Sequence, residues 1–190
     1  MNTRTINKTL SFGLSLMLTF MTVLATPAKA QNPKSWTTDA TAGAVDEADA
    51  EEVNLGTGVI HLNTGTTASA QASIRYNVVA TDGLFVTGYP RMRVRFRDGG
   101  ANAQVIVSLY RINMETGSNA KVLELDSNDY AGSNSFQTQT TAACAGSNFG
   151  FDFTDNAYYI EVKLSRSASN GLAGLATIQL FNQSTTTCNQ

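Results

Sequence analysis

Alternation with a period of two constrains this chain more than any other feature. From Gly58 onward apolar and polar side chains exchange at successive positions, as in Ile74, Tyr76 and Val78 against Arg75 and Asn77. A strand with one buried face gives that pattern, because successive side chains point to opposite sides of a sheet. After the first thirty residues no stretch sustains an apolar stripe at helical spacing for three turns.

The alternating runs cover 59–62, 73–80, 91–97, 104–112, 121–126, 136–141, 149–153, 158–165 and 176–181, about nine short strands. Segments rich in Gly, Asn and Asp separate them, among them Thr81-Asp82-Gly83, Asp98-Gly99-Gly100-Ala101-Asn102 and Glu115-Thr116-Gly117-Ser118-Asn119. The fold expected is all-β: an antiparallel β-sandwich of jelly-roll or Greek-key type. Its core is expected to hold Met92, Val94, Phe96, Val105, Val107 and Leu109. Phe149, Phe151 and Phe153 from one strand and Ile160, Val162 and Leu164 from the next complete it.

Residues 1–30 read as a signal peptide. Arg4 and Lys8 precede an apolar run over 10–25, Pro27 follows, and Ala28-Lys29-Ala30 supplies a small-x-small cleavage site. Cleavage near Ala30 implies secretion, extracellular or periplasmic, with no transmembrane anchor left. The remainder divides into an acidic flexible arm over 31–54, containing Asp46-Glu47-Ala48-Asp49-Ala50-Glu51-Glu52, and a single sandwich domain over 55–190. Cys144 and Cys188 make an even pair in an oxidising compartment, and the simplest expectation is one disulfide. Such a bridge contributes about 3–4 kcal/mol in the chain-entropy model.

The chain carries 13 Lys and Arg against 15 Asp and Glu. Loss of Arg4, Lys8 and Lys29 with the leader makes the remainder more acidic, so general affinity for nucleic acid is not expected. Against that background RMRVRFRDGG, residues 91–100, gathers Arg91, Arg93, Arg95 and Arg97 at alternate positions. If the segment after Asp98 closes a β-hairpin, Arg97 stands opposite Gln104, and Phe96, Val94 and Met92 stand opposite Val105, Val107 and Leu109. Arg91 then falls beside Tyr110, a cation–π contact of about 0.5–1 kcal/mol. A slip of one position would turn the charges inward, so the register is well specified.

Two readings of that arginine row stay open. One is a solvated sheet face, its stems covering apolar surface while the heads remain in water. The other is a row of guanidinium forks matched to carboxylate, sulfate or phosphate oxygens, with Arg91, Arg93, Arg95, Arg97 and Tyr110 as ligand-binding residues. The partners it suits are an acidic polysaccharide or another phosphate- or acid-bearing surface. The acidic segment 46–52, in the same molecule or a neighbour, is a further candidate.

Other chemistry is thinly represented. His61 is the only histidine, and no Gly-x-Ser-x-Gly motif accompanies it, so it is expected to be a structural strand residue. The carboxylates Glu124, Asp126, Asp129, Asp152, Asp155 and Glu161 are scattered, which leaves a glycosidase pair open without locating one. Asp126 with Asp129 and Asp152 with Asp155 lie in oxygen-rich turns that suit calcium, although the same residue types are ordinary turn formers. No other cofactor is expected. Asn182-Gln183-Ser184 has the pattern of a glycosylation acceptor. The expected function is therefore a secreted, non-catalytic binding module acting at the cell surface or in the extracellular matrix. The alternatives are a self-associating structural subunit and, third, a glycan hydrolase.

Overall fold

The computed structural model describes residues 35–63, 69–80, 84, 89–141 and 149–183. Among the described residues eleven strands run in chain order: β1 Trp36–Asp39, β2 Ala44–Val45, β3 Val53–Leu55, β4 Ile60–Leu62, β5 Ala70–Val78, β6 Tyr89–Asp98, β7 Ala103–Asn113, β8 Asn119–Asp126, β9 Ser133–Thr140, β10 Asn156–Arg166 and β11 Ala173–Gln183. They form two antiparallel sheets. The first, sheet A, has the order β3-β4-β11-β6-β9, with β1 also on β11; the second, sheet B, has the order β2-β5-β10-β7-β8.

From β4 onward the chain changes sheet at every connection except β7 to β8, which pair side by side, so that 4-11-6-9 faces 5-10-7-8. That winding is a jelly roll. One apolar cluster lies between the sheets, with Ile60, Met92, Val94, Phe96, Leu175 and Ile178 from sheet A against Ile74, Val105, Val107, Leu109, Ile160 and Leu164 from sheet B. All twelve are fully buried, and each contributes about 1.5–3 kcal/mol.

Three expectations need correction. The first concerns pairing: β6 and β7 are consecutive but do not hydrogen-bond to one another. β6 pairs with β11 and β9, and β7 pairs with β10 and β8. Met92, Val94 and Phe96 do meet the layer of Val105, Val107 and Leu109, but across the core rather than along a hairpin. Alternation specifies which face is buried, and it is the same in both arrangements. The connection is fixed locally. Gly100 has φ of 100°, Ala103 N donates to Gly100 O at 2.8 Å, and Gly99 N donates to Leu172 O at 3.0 Å. Asp98 turns inward and accepts from Gly100 N at 2.9 Å and from the Ser127 hydroxyl.

The second correction is that residues 149–153 form no strand. They pack as an aromatic cluster, in which the rings of Phe151 and Phe153 lie 5.8 Å apart and both stand edge-on to Tyr158 at 5.0 Å. Phe151 and Tyr158 are buried, and Phe149 and Phe153 are partly so.

The third is that the segment after residue 35 is no flexible arm. Trp36 and Ala40 enter the core, and Tyr76 donates its hydroxyl to Ala40 O at 2.7 Å. Asp46 caps the 3₁₀ turn Glu47–Glu52. Asp49 accepts from Ser73 N at 2.9 Å, which secures the turn to β5. The acidic cluster is therefore polar chemistry built into a turn. The candidate leader (1–30), Cys144 and Cys188 lie outside the described residues, as does Ser184 of the glycosylation pattern. No described helix is long and apolar enough to cross a membrane.

Candidate functional site: the outer face of sheet A

β6 is an interior strand of sheet A, with β11 on one side and β9 on the other. Its even-numbered residues Met92, Val94 and Phe96 are buried, so its odd-numbered residues look outward. Arg93 and Arg95 are exposed, while Arg91 and Arg97 are half-buried. Rising about 3.3 Å per residue, the four positions stand about 7 Å apart and span about 20 Å.

The neighbours on both sides are uncharged. On β11, Arg91 faces Phe181, Arg93 faces Gln179, Arg95 faces Thr177 and Arg97 faces Gly174. On β9, Arg93 faces Thr140 and Arg95 faces Thr138. Arg93 Nη1 donates to Gln179 Oε1 at 3.2 Å, and Gln179 Nε2 passes on to the Ser35 hydroxyl at 2.9 Å. Arg95 Nη1 donates to the Thr138 hydroxyl at 3.4 Å. Among the described residues none of the four arginines forms an ion pair, although three ion pairs occur elsewhere. The Nε groups of Arg91 and Arg97 are buried without a hydrogen-bond partner among the described residues.

Two phenylalanines hold the heads. Arg93 lies over Phe181 with its Cζ 5.0 Å from the ring centroid. Arg95 and Arg97 share Phe136 at 6.0 and 5.6 Å. Phe136 belongs to β9, two strands from Gly174 on β11. Even so, a Cβ built on Gly174 would lie 3.7 Å from Phe136 Cζ. The ring therefore reaches laterally over β6, and the absence of a side chain at Gly174 leaves it room. The same Cβ would come within 3.2 Å of His61 Cβ.

His61 extends this row, since Gly174 pairs with His61 on one side and Arg97 on the other. Its imidazole is held below the ordinary histidine value, first by partial burial and then by the charge of Arg97. It stands as a strand residue of β4, paired with Asn54 on β3. Asp39 on β1 faces Thr177 and so lies two strands from Arg95 in register. Its carboxylate instead accepts from Thr41 N at 2.8 Å and Thr41 Oγ1 at 2.5 Å, bonds that lower its pKa.

Tyr110 is not part of this face. β7 lies in sheet B, where Tyr110 stacks on Tyr159 with centroids 5.0 Å apart and planes 10° apart. The proximity to Arg91 expected from a hairpin disappears with the hairpin. Glu124 and Asp126 are likewise carried on sheet B, where Glu124 accepts from Lys121 Nζ and the Ser108 hydroxyl, each at 2.7 Å. Asp126 accepts from Gln104 Nε2 at 2.9 and 3.0 Å and caps the 3₁₀ turn Ser127–Asp129. Asp152 accepts from Thr154 N at 2.9 Å, and Asp155 contributes its backbone carbonyl to Met114 N. No three His, Cys, Asp or Glu side chains among the described residues come together as a metal set.

No protein-family model matches the chain, and no curated protein matches it. Several solved structures resemble it in outline. TmCBM61 in complex with β-1,4-galactotriose is 13% identical at a TM-score of 0.39, with 78% of this chain and 88% of that one covered. The xylan-binding module CBM15 is 8% identical at a TM-score of 0.42, covering 80% and 97%. A family 30 carbohydrate-binding module is 9% identical at a TM-score of 0.41, covering 78% and 92%. The strand order of this chain itself shows the jelly roll.

Proposed function

We propose that this protein is an exported, non-catalytic jelly-roll module that binds an acidic polysaccharide on the outer face of sheet A. One observation carries the reading: four guanidinium groups share one strand face with no carboxylate paired to any of them among the described residues. An ordinary solvated sheet face intersperses both signs, as sheet B does. Guanidinium forks held over phenyl rings are pre-organised donors for carboxylate or sulfate oxygens. Export follows from the signal pattern in residues 1–30. The test is Arg93→Gln combined with Arg95→Gln, assayed for binding to polygalacturonate and to a neutral galactan. A loss of at least about tenfold toward the acidic polymer is expected, since hydrogen bonds to charged groups contribute about 1.5–3 kcal/mol each. Unchanged binding by a folded double variant would overturn the reading.

Self-association is the second reading, and a specific observation favours it. Glu47 and Glu51 are exposed on the turn Glu47–Glu52 and have no ion pair among the described residues. They are complementary to the arginines of another copy. Light scattering across a concentration series tests this: assembly that vanishes in the Glu47→Gln, Glu51→Gln variant supports it, and a constant monomer removes it.

A further inference from the structure

A chain laid across sheet A and a chain laid along β6 would meet very different surfaces. Crossing at Arg93, it passes Thr140, that one arginine, Gln179 and then Thr37. Crossing at Arg95, it passes Thr138 and Thr177 and ends at the carboxylate-bearing Asp39. Each crossing row offers a single arginine, and one of them finishes against a negative charge. Along β6, by contrast, four arginines follow one another at about 7 Å intervals over about 20 Å.

The heads also sit on both flanks of the strand. Arg93 is drawn toward β11, by its hydrogen bond to Gln179 and its contact with Phe181. Arg95 is drawn toward β9 by its hydrogen bond to Thr138, and it shares the Phe136 ring with Arg97. A ligand following β6 meets cations leaning to both sides of the strand. Beside them stand hydroxyl and amide groups, Thr138 and Thr140 on β9 and Gln179 on β11, able to pair with the hydroxyls of a sugar. At the Arg97 end the row stops, because Asp98 turns inward and is 2% exposed.

We infer that the ligand is a linear polyanionic glycan lying lengthwise on β6, engaging Arg91 through Arg97 in sequence while the flanking threonines and Gln179 read its uncharged hydroxyls. This rests on the acidic-polysaccharide reading and adds orientation, minimum length and ligand class to it. Engagement of successive arginines by one chain makes each later contact intramolecular. Affinity must therefore climb with chain length until the ligand spans the row, and then level off.

The experiment is calorimetric titration with oligogalacturonates from dimer to decamer, with polygalacturonate and polyglutamate as references. The expected result is a rise of at least about tenfold between the dimer and the first oligomer spanning about 20 Å, followed by a plateau. Arg91→Gln or Arg97→Gln, confirmed as folded by thermal melting, is expected to move the plateau to shorter oligomers. Polymer and dimer binding with equal affinity per site overturns the lengthwise placement and leaves the acidic-polysaccharide reading intact. No binding by any galacturonate, polymer included, overturns that underlying reading instead. Polyglutamate binding as tightly as polygalacturonate of equal charge overturns the assignment of hydroxyl recognition.

Discussion

The two outer faces of this sandwich are built from the same strand geometry but balance charge in opposite ways. On sheet B, Arg75 and Lys163 both approach Glu161, at 3.7 and 3.5 Å. Lys121 meets Glu124 at 2.7 Å, and Tyr110 lies against Tyr159. Each of these charges has a neighbour of the other sign. On sheet A four arginines are set among phenylalanine, threonine and glutamine, with no carboxylate answering them among the described residues. Alternation alone does not separate a self-satisfied surface from one that awaits a counter-charge. The decisive difference is the identity of the cross-strand neighbours.

Charge reversal should show this contrast most strongly. Arg93→Glu with Arg95→Glu is expected to abolish retention on polygalacturonate, each position contributing at least about tenfold. Lys163→Gln on sheet B is expected to change retention by less than about twofold, because that lysine is already answered by Glu161. Comparable losses from both would end the distinction between the faces. Salt comes next. Raising ionic strength from about 0.1 to 1 M shortens the screening length from about 10 to 3 Å. Retention on sheet A should fall continuously across that range while the melting temperature moves little.

A smaller effect separates the aromatic groups. Phe136→Ala frees two guanidinium groups from a ring contact of about 0.5–1 kcal/mol each, so binding should drop severalfold. Tyr110→Ala should leave binding unchanged and lower stability by about 0.5–1.5 kcal/mol beyond the lost area. Affinity and denaturation measured on the same two variants would reveal any crossover.

The smallest effect expected is on stability against pH. Glu124 is held below its ordinary value, first by its hydrogen bond to Lys121. Its stabilisation is full above the unfolded carboxylate value and is lost as pH falls through the depressed folded one. His61 is also lowered, so the folded state resists its protonation. That costs stability as pH falls below the ordinary histidine value of about 6.5. His61→Asn should flatten the melting profile near neutrality, and Glu124→Gln should flatten it only in acid, the latter by a few tenths of a kcal/mol. A neutral-range slope that persists in the His61 variant would assign it to another group.

Strand identity and burial were legible in the sequence because they are local. Residues such as Val94, Val107 and Ile160 declare their buried face through immediate neighbours. Pairing was not legible, since Arg93 meets Gln179 across a sequence separation of 86 residues. Propensity at Arg93 carries no trace of that partner. The N-terminal segment hides its order because β2 and β3 are too short to show a period and the 3₁₀ turn Glu47–Glu52 has no apolar stripe. Its attachment depends on Trp36, Ala40 and one carboxylate, Asp49, reaching β5. The phenylalanines at 149, 151 and 153 display strand spacing but satisfy it as a cluster around Tyr158.

The last two strands sit in the middle of the architecture. β10 separates β5 from β7, and β11 separates β4 from β6. A growing polypeptide that lacks residues 156–183 therefore holds two halves of each sheet with nothing to zip them together, and its many distant pairings make folding slow. Neither sheet can close until that stretch has joined it, so the completion of both layers is tied to one short segment of the chain.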